Sequence, residues 1–395
     1  MKKILVLAST YPRWENDSEP AFVESLCREL AVDYEVHVLV PHYRNALVYE
    51  EKDNITVHRF RYCLSALETL AYQGGILANL KCNKLNYLLI PLFVLFQSTS
   101  LYWLNKRFAF NVVHAHWIIP QGFSAAVIKF FSNNKYKILI TSHGGDLYAL
   151  KGRIFRILKS WIINKSAHMT VVSAAMKKFC DDMGIDGDKI SVCSMGVDLQ
   201  NRFVKHAAFS ERNDIIFVGR LVEKKGVKYL IEAMETVVKA FPSVRLDIIG
   251  DGPERGYLEK LAVEKNIKQN IAFTGAVPNH EIPAYLNRAK IAAMPSVVAS
   301  DGDQEGLGLV AVEAMGCGCA VVASNLPAVR DVISDGITGV MVKPASATSI
   351  ADAIIKLLTD NDFAESIAKQ GRDYVINKYD WQNIGNRYRE VIENI

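Results

Sequence analysis

Residues 302–318 read GDQEGLGLVAVEAMGCG, and two carboxylates in them, Glu305 and Glu313, have seven residues between them. Glycines crowd the first, while the second falls among helix formers. Glycines let backbone amides approach a ligand closely, and a helix N-terminus adds free N–H groups and the positive end of a dipole. Gly306 and Gly308, which frame Leu307, therefore suit a phosphate. Glu313 falls roughly 7–8 Å farther along such a helix, at about 1.5 Å per residue, about the reach from a nucleoside diphosphate to its ribose hydroxyls. A carboxylate only accepts hydrogen bonds and can hold two vicinal hydroxyls. One carboxylate for a ribose and one, Glu305, for a sugar carried on the phosphates would account for the spacing.

Cations of the right kind occur upstream. In FVGRLVEKKGVKYL (217–230), Gly219-Arg220 follows a strand-like run and Lys225-Gly226 opens a helical one. An arginine fork and a lysine point charge together suit a diphosphate. In IIGDGPERGYLEKL (248–261), Gly250-Asp251-Gly252 also sits between strand and helix patterns. Its third glycine is misplaced for a dinucleotide fingerprint, so it reads as a tight turn lining the nucleotide side. Asp301-Gly302-Asp303 has the spacing of a metal-binding DxD but reads as a polar turn. His114-Ala115-His116 places both imidazoles on one face of a strand, as a packed or cleft-lining pair; zinc would want further ligands.

These residues need a scaffold that gathers loops at one edge. Short apolar, β-branched runs alternate with helical patterns along the whole chain: 3–9, 35–41, 55–60, 112–117, 137–144, 168–173 and 189–196, then 214–220, 245–252, 271–277, 291–297, 320–324 and 338–344. Near-continuous apolar strands alternating with helices predict parallel sheets covered on both faces. The α/β series restarts at Asp214, and the polar stretch 197–213 lacks periodicity. Two doubly wound domains are expected, 1–196 and 214–379, with 197–213 as linker, a cleft between them and ligands beyond the C-terminal strand ends. A length of 395 residues agrees with two cores.

Charge is unevenly spread. The net +4 conceals 14 Lys/Arg against a single acid, Asp146, between Thr69 and Cys180. Such a bias suits an anionic surface or ligand. The seven cysteines form no CxxC pair and read as buried thiols in a reducing cytosol. The N-terminal MKKILVLASTYPRW has too short an apolar run for a signal peptide and reads as a first strand. The uncharged run LNYLLIPLFVLFQSTSLYWLN (85–105) is long enough to span a bilayer. Strands expected before and after it in one domain argue against spanning, which leaves a buried helix or an interfacial one flanked by Lys81, Lys84, Lys106 and Arg107. The basic helix KGRIFRILKSWIINK (151–165) reads as a solvated surface helix or as a membrane-facing patch working with it.

The chain resembles the family 4 glycosyltransferases, retaining enzymes of the two-domain GT-B fold. The resemblance rests on the Glu305/Glu313 pair within EGLGLVAVEAMGCG, Gly219-Arg220…Lys225-Gly226, Gly250-Asp251-Gly252-Pro253, Phe273-Thr274-Gly275, Pro295-Ser296 and Ser142-His143-Gly144-Gly145-Asp146. It implies transfer of a sugar from a nucleotide donor to a hydroxyl with retention and no essential metal or cofactor. It implies Arg220 and Lys225 on the diphosphate, Glu313 on the ribose, Glu305 on the donor sugar and the backbone near Val277 on the base. His143 would reach the donor sugar, with Asp146 and His116 on the acceptor side. The last helix, 380–395, would return to the first domain. One departure is that the loop STYPRWENDSEPAFVESL (9–26) lacks the phosphate-binding glycines of many relatives and reads as an acceptor-facing loop.

The reaction expected from these features extends a lipid-linked saccharide for a surface polysaccharide such as lipopolysaccharide. The expected place is the cytoplasmic face of an anionic membrane, with no nucleic-acid partner. A nucleotide-sugar epimerase on the same fold, or a catalytically silent nucleotide-sugar-binding protein, is the alternative.

Overall fold

In a computed structural model, the structure describes residues 1–395 except 16, 18, 132–134, 149 and 151. The chain forms two units. One comprises Met1–Gly196 with Ile384–Ile395, and the other Val197–Asn383.

The first unit is built on strands β1 (Lys3–Leu7), β2 (Glu35–Pro41), β3 (Tyr49–Lys52), β4 (Ile55–Phe60), β5 (Val112–His116), β6 (Lys137–Ser142), β7 (His168–Val171) and β8 (Ile190–Val192). Its helices are α1 (Phe22–Leu30), α2 (Ile76–Cys82), α3 (Leu89–Phe108), α4 (Phe123–Phe131), α5 (Gly145–Tyr148), α6 (Arg153–Lys165) and α7 (Ala174–Asp182). The sheet order is β3-β4-β2-β1-β5-β6-β7-β8. Every pairing is parallel except β3–β4. β1 lies between β2 (Leu7↔Leu39) and β5 (Leu7↔Ala115). The winding reverses there, so ligand-binding loops are expected at the ends of β1 and β5. β5 is buried at every position, as a central strand covered on both faces should be.

β3 escapes the sequence patterns. YEEK has no apolar alternation, and it pairs only through a hairpin whose two turn residues, Asp53 and Asn54, both have positive φ (54° and 60°). That is the geometry of a two-residue hairpin turn, and Asp-Asn before ITVHRF was the available signal.

The apolar run at 85–105 is helical, but its burial is inverted. Lys84–Leu88 forms a 3₁₀ turn that leads into α3. The inward residues of α3 are Phe93, Gln97, Ser98, Leu101 and Asn105, three of them polar. Gln97 accepts a 3.0 Å bond from Ser124 of α4. The outward residues include Leu92, Leu95, Phe96 and Trp103, the last 62% exposed. The fully buried reading is therefore corrected. β4 and β5, which precede and follow α3, share one sheet, and a bilayer crossing would separate them. On α6, Ile154, Phe155 and Ile157 are likewise exposed beside Arg153 and Arg156.

The second unit has strands β9 (Asp214–Val218), β10 (Leu246–Ile249), β11 (Ile271–Gly275), β12 (Ala289–Met294), β13 (Ala320–Ser324) and β14 (Val340–Val342). All are parallel, in the order β11-β10-β9-β12-β13-β14. Its helices are α8 (Val227–Ala240), α9 (Arg255–Glu264), α10 (Ile282–Leu286), α11 (Leu309–Gly316), α12 (Ala347–Thr359) and α13 (Asn361–Tyr379). Phe217, Ile231, Met234, Ile248, Leu258 and Ile354 belong to one core between sheet and helices. Each such side chain contributes about 1.5–3 kcal/mol by leaving water. This winding reverses between β9 and β12.

Residues 197–213, expected as a linker, fold into the second unit. Leu199, Phe203 and Phe209 are buried, and Arg212 is 1% exposed with its guanidinium donating to the Cys317 and Ala207 carbonyls at 2.8 and 3.0 Å. These contacts are tertiary, so no local periodicity announces them. The last helix, α14 (Trp381–Asn394), buries Ile384, Tyr388 and Ile392. Its Glu393 accepts from Tyr34 and pairs with Lys2, each at 2.7 Å. Of the cysteines, Cys82 is exposed and Cys63 partly so; the other five are buried free thiols.

Candidate active site

In the second unit, the candidate residues sit on the loops after β9, β10 and β12, at the reversal point of the sheet. The loops are fastened by backbone bonds. Gly219 N–H donates to Ile249 O, Leu221 N–H to Asp251 O and Gly250 N–H to Gly275 O, at 2.8–2.9 Å. The contact is close enough that a Cβ on Gly250 would lie 2.0 Å from Gly219 O, and one on Gly252 2.3 Å from Leu221 O. These two glycines thus let loops approach each other rather than a ligand. Gly226 has φ 63°, and a Cβ there would fall 2.1 Å from Pro295 O.

The triplet Glu223-Lys224-Lys225 stitches the β9 loop to the long β12 loop. Glu223 accepts from Ser300 N–H (2.9 Å) and Oγ (2.8 Å). Lys224 pairs with Asp303 at 3.1 Å, and its carbonyl accepts from Val297 N–H at 2.8 Å. Lys225 pairs with Glu305 at 2.7 Å. The Asp301-Gly302-Asp303 stretch is a turn closed by Asp303 N–H donating to Asp301 Oδ1 at 2.8 Å. Sequence reasoning found Lys225 and Glu305 but not the two pairs beside them, since the partners are about 80 residues away in sequence.

Gly308, in the left-handed region (φ 85°), precedes α11, and no side chain caps that helix. Ala311 N–H donates to Gly308 O at 2.9 Å, so the amides of Leu309 and Val310 are the ones left facing an anion among the described residues. Leu307 is buried beneath the loop, while Gly306 and Val277 are partly exposed. Arg220 is exposed and makes no ion pair among the described residues. Glu313 lies in α11, partly exposed. Burial pushes its carboxyl up to about 7, against the pull of Arg202 and Lys225. Burial also works to raise Glu305, but the charge and hydrogen bond of Lys225, with Lys224 behind, hold it below the usual carboxylate range. The two glutamates thus differ in kind, one a fixed anion and one poised to titrate. Arg202, which sequence reasoning missed, comes from the former linker and donates to the Asn279 carbonyl.

In the first unit, His143 follows β6 and is partly exposed, with Phe22 and Trp117 rings 4.9 and 5.0 Å away. Asp146 is buried, with its oxygens taken by Ser142 Oγ (2.7 Å) and Ile118 N–H (2.6 Å). It shapes the loop from within. His116, expected on the acceptor side, is wholly buried and is corrected to an interior residue. The loop after β1 is held by buried polar pairs. Arg13 bonds Asp17 through Nε (2.8 Å) and Nη2 (2.7 Å) and lies over the Trp14 and Tyr43 rings. Glu19 accepts from Thr10 and from Gln73 N–H.

Chemically, the second unit presents an exposed arginine, a paired lysine, open helix amides and two unlike carboxylates at one sheet edge. Comparison with known proteins bears on what this serves. Residues 21–201 match the model for Glycosyltransferase Family 4, and residues 199–374 that for Glycosyl transferases group 1. An uncharacterized glycosyltransferase of Methanocaldococcus jannaschii is 28% identical over 293 residues, 70% of this chain and 73% of that one. A GDP-mannose-dependent alpha-(1-6)-phosphatidylinositol monomannoside mannosyltransferase of Mycolicibacterium smegmatis is 30% identical over 210 residues, which cover 53% of this chain and about half (54%) of the relative. Sucrose-phosphate synthase from Thermosynechococcus elongatus superposes with a TM-score of 0.81 at 19% identity, covering 100% of this chain and 99% of that one. With two family models abutting at residues 199–201 and reaching together from residue 21 to residue 374, the chain belongs to the family 4, group 1 glycosyltransferases, and its two parallel-sheet units are those of the GT-B fold.

Proposed function

We propose that the protein moves a sugar from a nucleotide-sugar donor to a hydroxyl of a lipid-linked saccharide, with retention of anomeric configuration and without a metal, during synthesis of a surface polysaccharide. The observation that carries this reading is the cluster at the reversal point of the second unit. Departure of a nucleoside diphosphate breaks the bond between the sugar's anomeric carbon and the phosphate oxygen, and the electron pair stays on the diphosphate. Arg220, Lys225 and the amides of α11 are cationic or dipolar groups suited to that charge, and fixed groups of this kind lower such a barrier most. The acceptor oxygen bonds the anomeric carbon, and its proton passes to the departing diphosphate. Glu313 suits the ribose hydroxyls and Glu305 the hydroxyls of the donor sugar.

The lipid-linked acceptor and a place at the inner face of a membrane are supported by the outward apolar face of α3, by the basic residues at its two ends, and by the phosphatidylinositol mannoside acceptor in one relative's name. The test is a thermal-shift panel of UDP, GDP, ADP, CMP and dTDP with their sugars, run in EDTA. A ligand that binds only the native state raises Tm by mass action, by about 2.7 kcal/mol of stability at a hundred times its Kd. One base is expected to shift the protein in EDTA and to lose its shift in Arg220→Ala. A shift abolished by EDTA would remove the metal-free clause, and no shift with any nucleotide would remove the donor site.

A further inference from the structure

The first unit carries a buried polar chain that sugar transfer by itself leaves unexplained. His143 Nε2 lies 2.9 Å from Nδ1 of His116 on β5. The two rings are 7° from parallel with centroids 5.2 Å apart, so they meet edge to edge rather than face to face. His116 is wholly buried, and its Nε2 has no hydrogen-bond partner among the described residues. The His114 ring lies 4.4 Å away; its Nε2 is 2.8 Å from Thr141 Oγ1, and its Nδ1 has no partner among the described residues.

Proton counting assigns these contacts. Burial drives all three imidazoles below the usual histidine range. Each is therefore neutral at pH 7 and carries one N–H. Thr141 Oγ1 also lies 2.6 Å from Thr170 Oγ1 and 3.4 Å from Tyr388 OH, hydroxyls that can each donate or accept. An interior N–H without an acceptor is costly, so the unpartnered His114 Nδ1 is a bare lone pair and its proton is on Nε2, beside Thr141 Oγ1. By the same preference against a stranded interior N–H, the unpartnered His116 Nε2 is also bare, and its proton is on Nδ1.

We propose that His116 is a positioning residue: its Nδ1–H donates to His143 Nε2 and so fixes His143 as the Nδ1–H tautomer, whose N–H is offered at the C-terminal edge of the sheet to an oxygen of the sugar substrate. The substrate in this statement rests on the transferase reading; the tautomer does not. His143 is partly exposed, and its Nε2 is already engaged, so Nδ1 is the nitrogen left for a ligand. An Nε2–H tautomer would instead leave His116 with a proton on Nε2 and nothing to receive it.

The test uses the full chain labelled with ¹⁵N-histidine. Long-range ¹H–¹⁵N correlation reads which ring nitrogen is protonated, and His143→Gln assigns the signal. The native protein is expected to show His143 protonated on Nδ1. His116→Asn places an amide N–H near the position of Nδ1 and should preserve that tautomer and most of kcat. His116→Phe should give mixed tautomers and about a tenfold fall in kcat, the worth of one hydrogen bond, with the donor KM little changed. Nε2 protonation of His143 in the native protein overturns the proposal without any variant. So does an His116→Phe protein that keeps a pure Nδ1–H signal. An Nδ1–H signal lost in His116→Phe, in a protein inactive with every nucleotide sugar, upholds the tautomer assignment and overturns only the transferase reading.

Discussion

Lys225 and Glu305 form a 2.7 Å ion pair between the β9 and β12 loops, with only 16% and 15% of their side chains exposed. The pair holds both groups in place before any ligand arrives. On the proposed reading, a phosphate that draws on the Lys225 charge would loosen its hold on Glu305 and free carboxylate oxygens for sugar hydroxyls, which would couple donor binding to Glu305. Lys225→Ala is expected to lower the transfer rate about 10²–10³-fold, the usual effect of removing one charge-stabilising donor. Glu305→Gln should bind the free nucleoside diphosphate as well as the native protein does, yet transfer poorly. Isothermal titration beside a turnover assay separates the two, and unchanged turnover in Glu305→Gln would remove that residue from the reaction.

Donor binding should depend on pH through Glu313. Its carboxyl is pushed up to about 7 by burial, so it is ionised above that pH and protonated below. A ribose diol needs the acceptor form. Donor affinity should therefore level off above pH 7 and weaken by about tenfold per unit below it, while Glu313→Gln should bind weakly at every pH with a flat profile. The stability effect has the opposite sense. The folded-state value lies above the unfolded one of about 4.3, so the native state holds the proton more tightly, and this group's contribution to stability falls as pH rises from about 4.3 through 7. A donor affinity that does not vary between pH 6 and 8 would exclude an ionised Glu313 from binding.

Gly250→Ala should unfold the loop junction without touching any ligand group. Its Cβ would lie 2.0 Å from Gly219 O at a φ of 134°, and backbone must move. A loss of roughly 1–3 kcal/mol is expected, seen as a Tm drop of roughly 2–4 °C per kcal/mol. Gly256→Ala, with open space at its Cβ, is the matched control and should cost nothing measurable. Equal Tm values for the two variants would show that the loops yield easily.

Leu92, Phe96 and Trp103 are exposed on α3, so Leu92→Glu, Phe96→Glu and Trp103→Glu together should leave Tm unchanged. They should abolish sedimentation with vesicles that contain anionic lipid. Native protein that binds neutral and anionic vesicles equally, or neither, would contradict the membrane placement.

The sheets were readable because β1, β2, β9, β12 and β13 are runs of mostly buried, mostly apolar residues set between helical periods. β3 was not, because YEEK on the edge buries almost nothing. In the second unit the site residues were readable where chemistry and local backbone coincide, as in Lys225-Gly226 and Gly306-Leu307-Gly308. What could not be read depends on distant partners. Arg202 matters through Glu313, 111 positions later by subtraction of their numbers. Glu223 and Lys224 carry no local sign of their partners, since Ser300 and Asp303 lie 77 and 79 positions later. Charge-free composition at 85–105 revealed a helix but not its orientation, because Gln97 and Asn105 face inward only once Ser124 and the start of Phe110 are there to bond them.

The return of α14 sets an order on biosynthesis. Ile384, Tyr388 and Ile392 are interior residues of the first unit, and the chain reaches them only after the whole of the second unit. The 196 residues that open that unit are thus made early, yet they miss a wall of their core until residues 384–395 have followed the second unit. The earlier-made unit must wait, partly open, while the whole of the second is synthesised, and only then is its core closed.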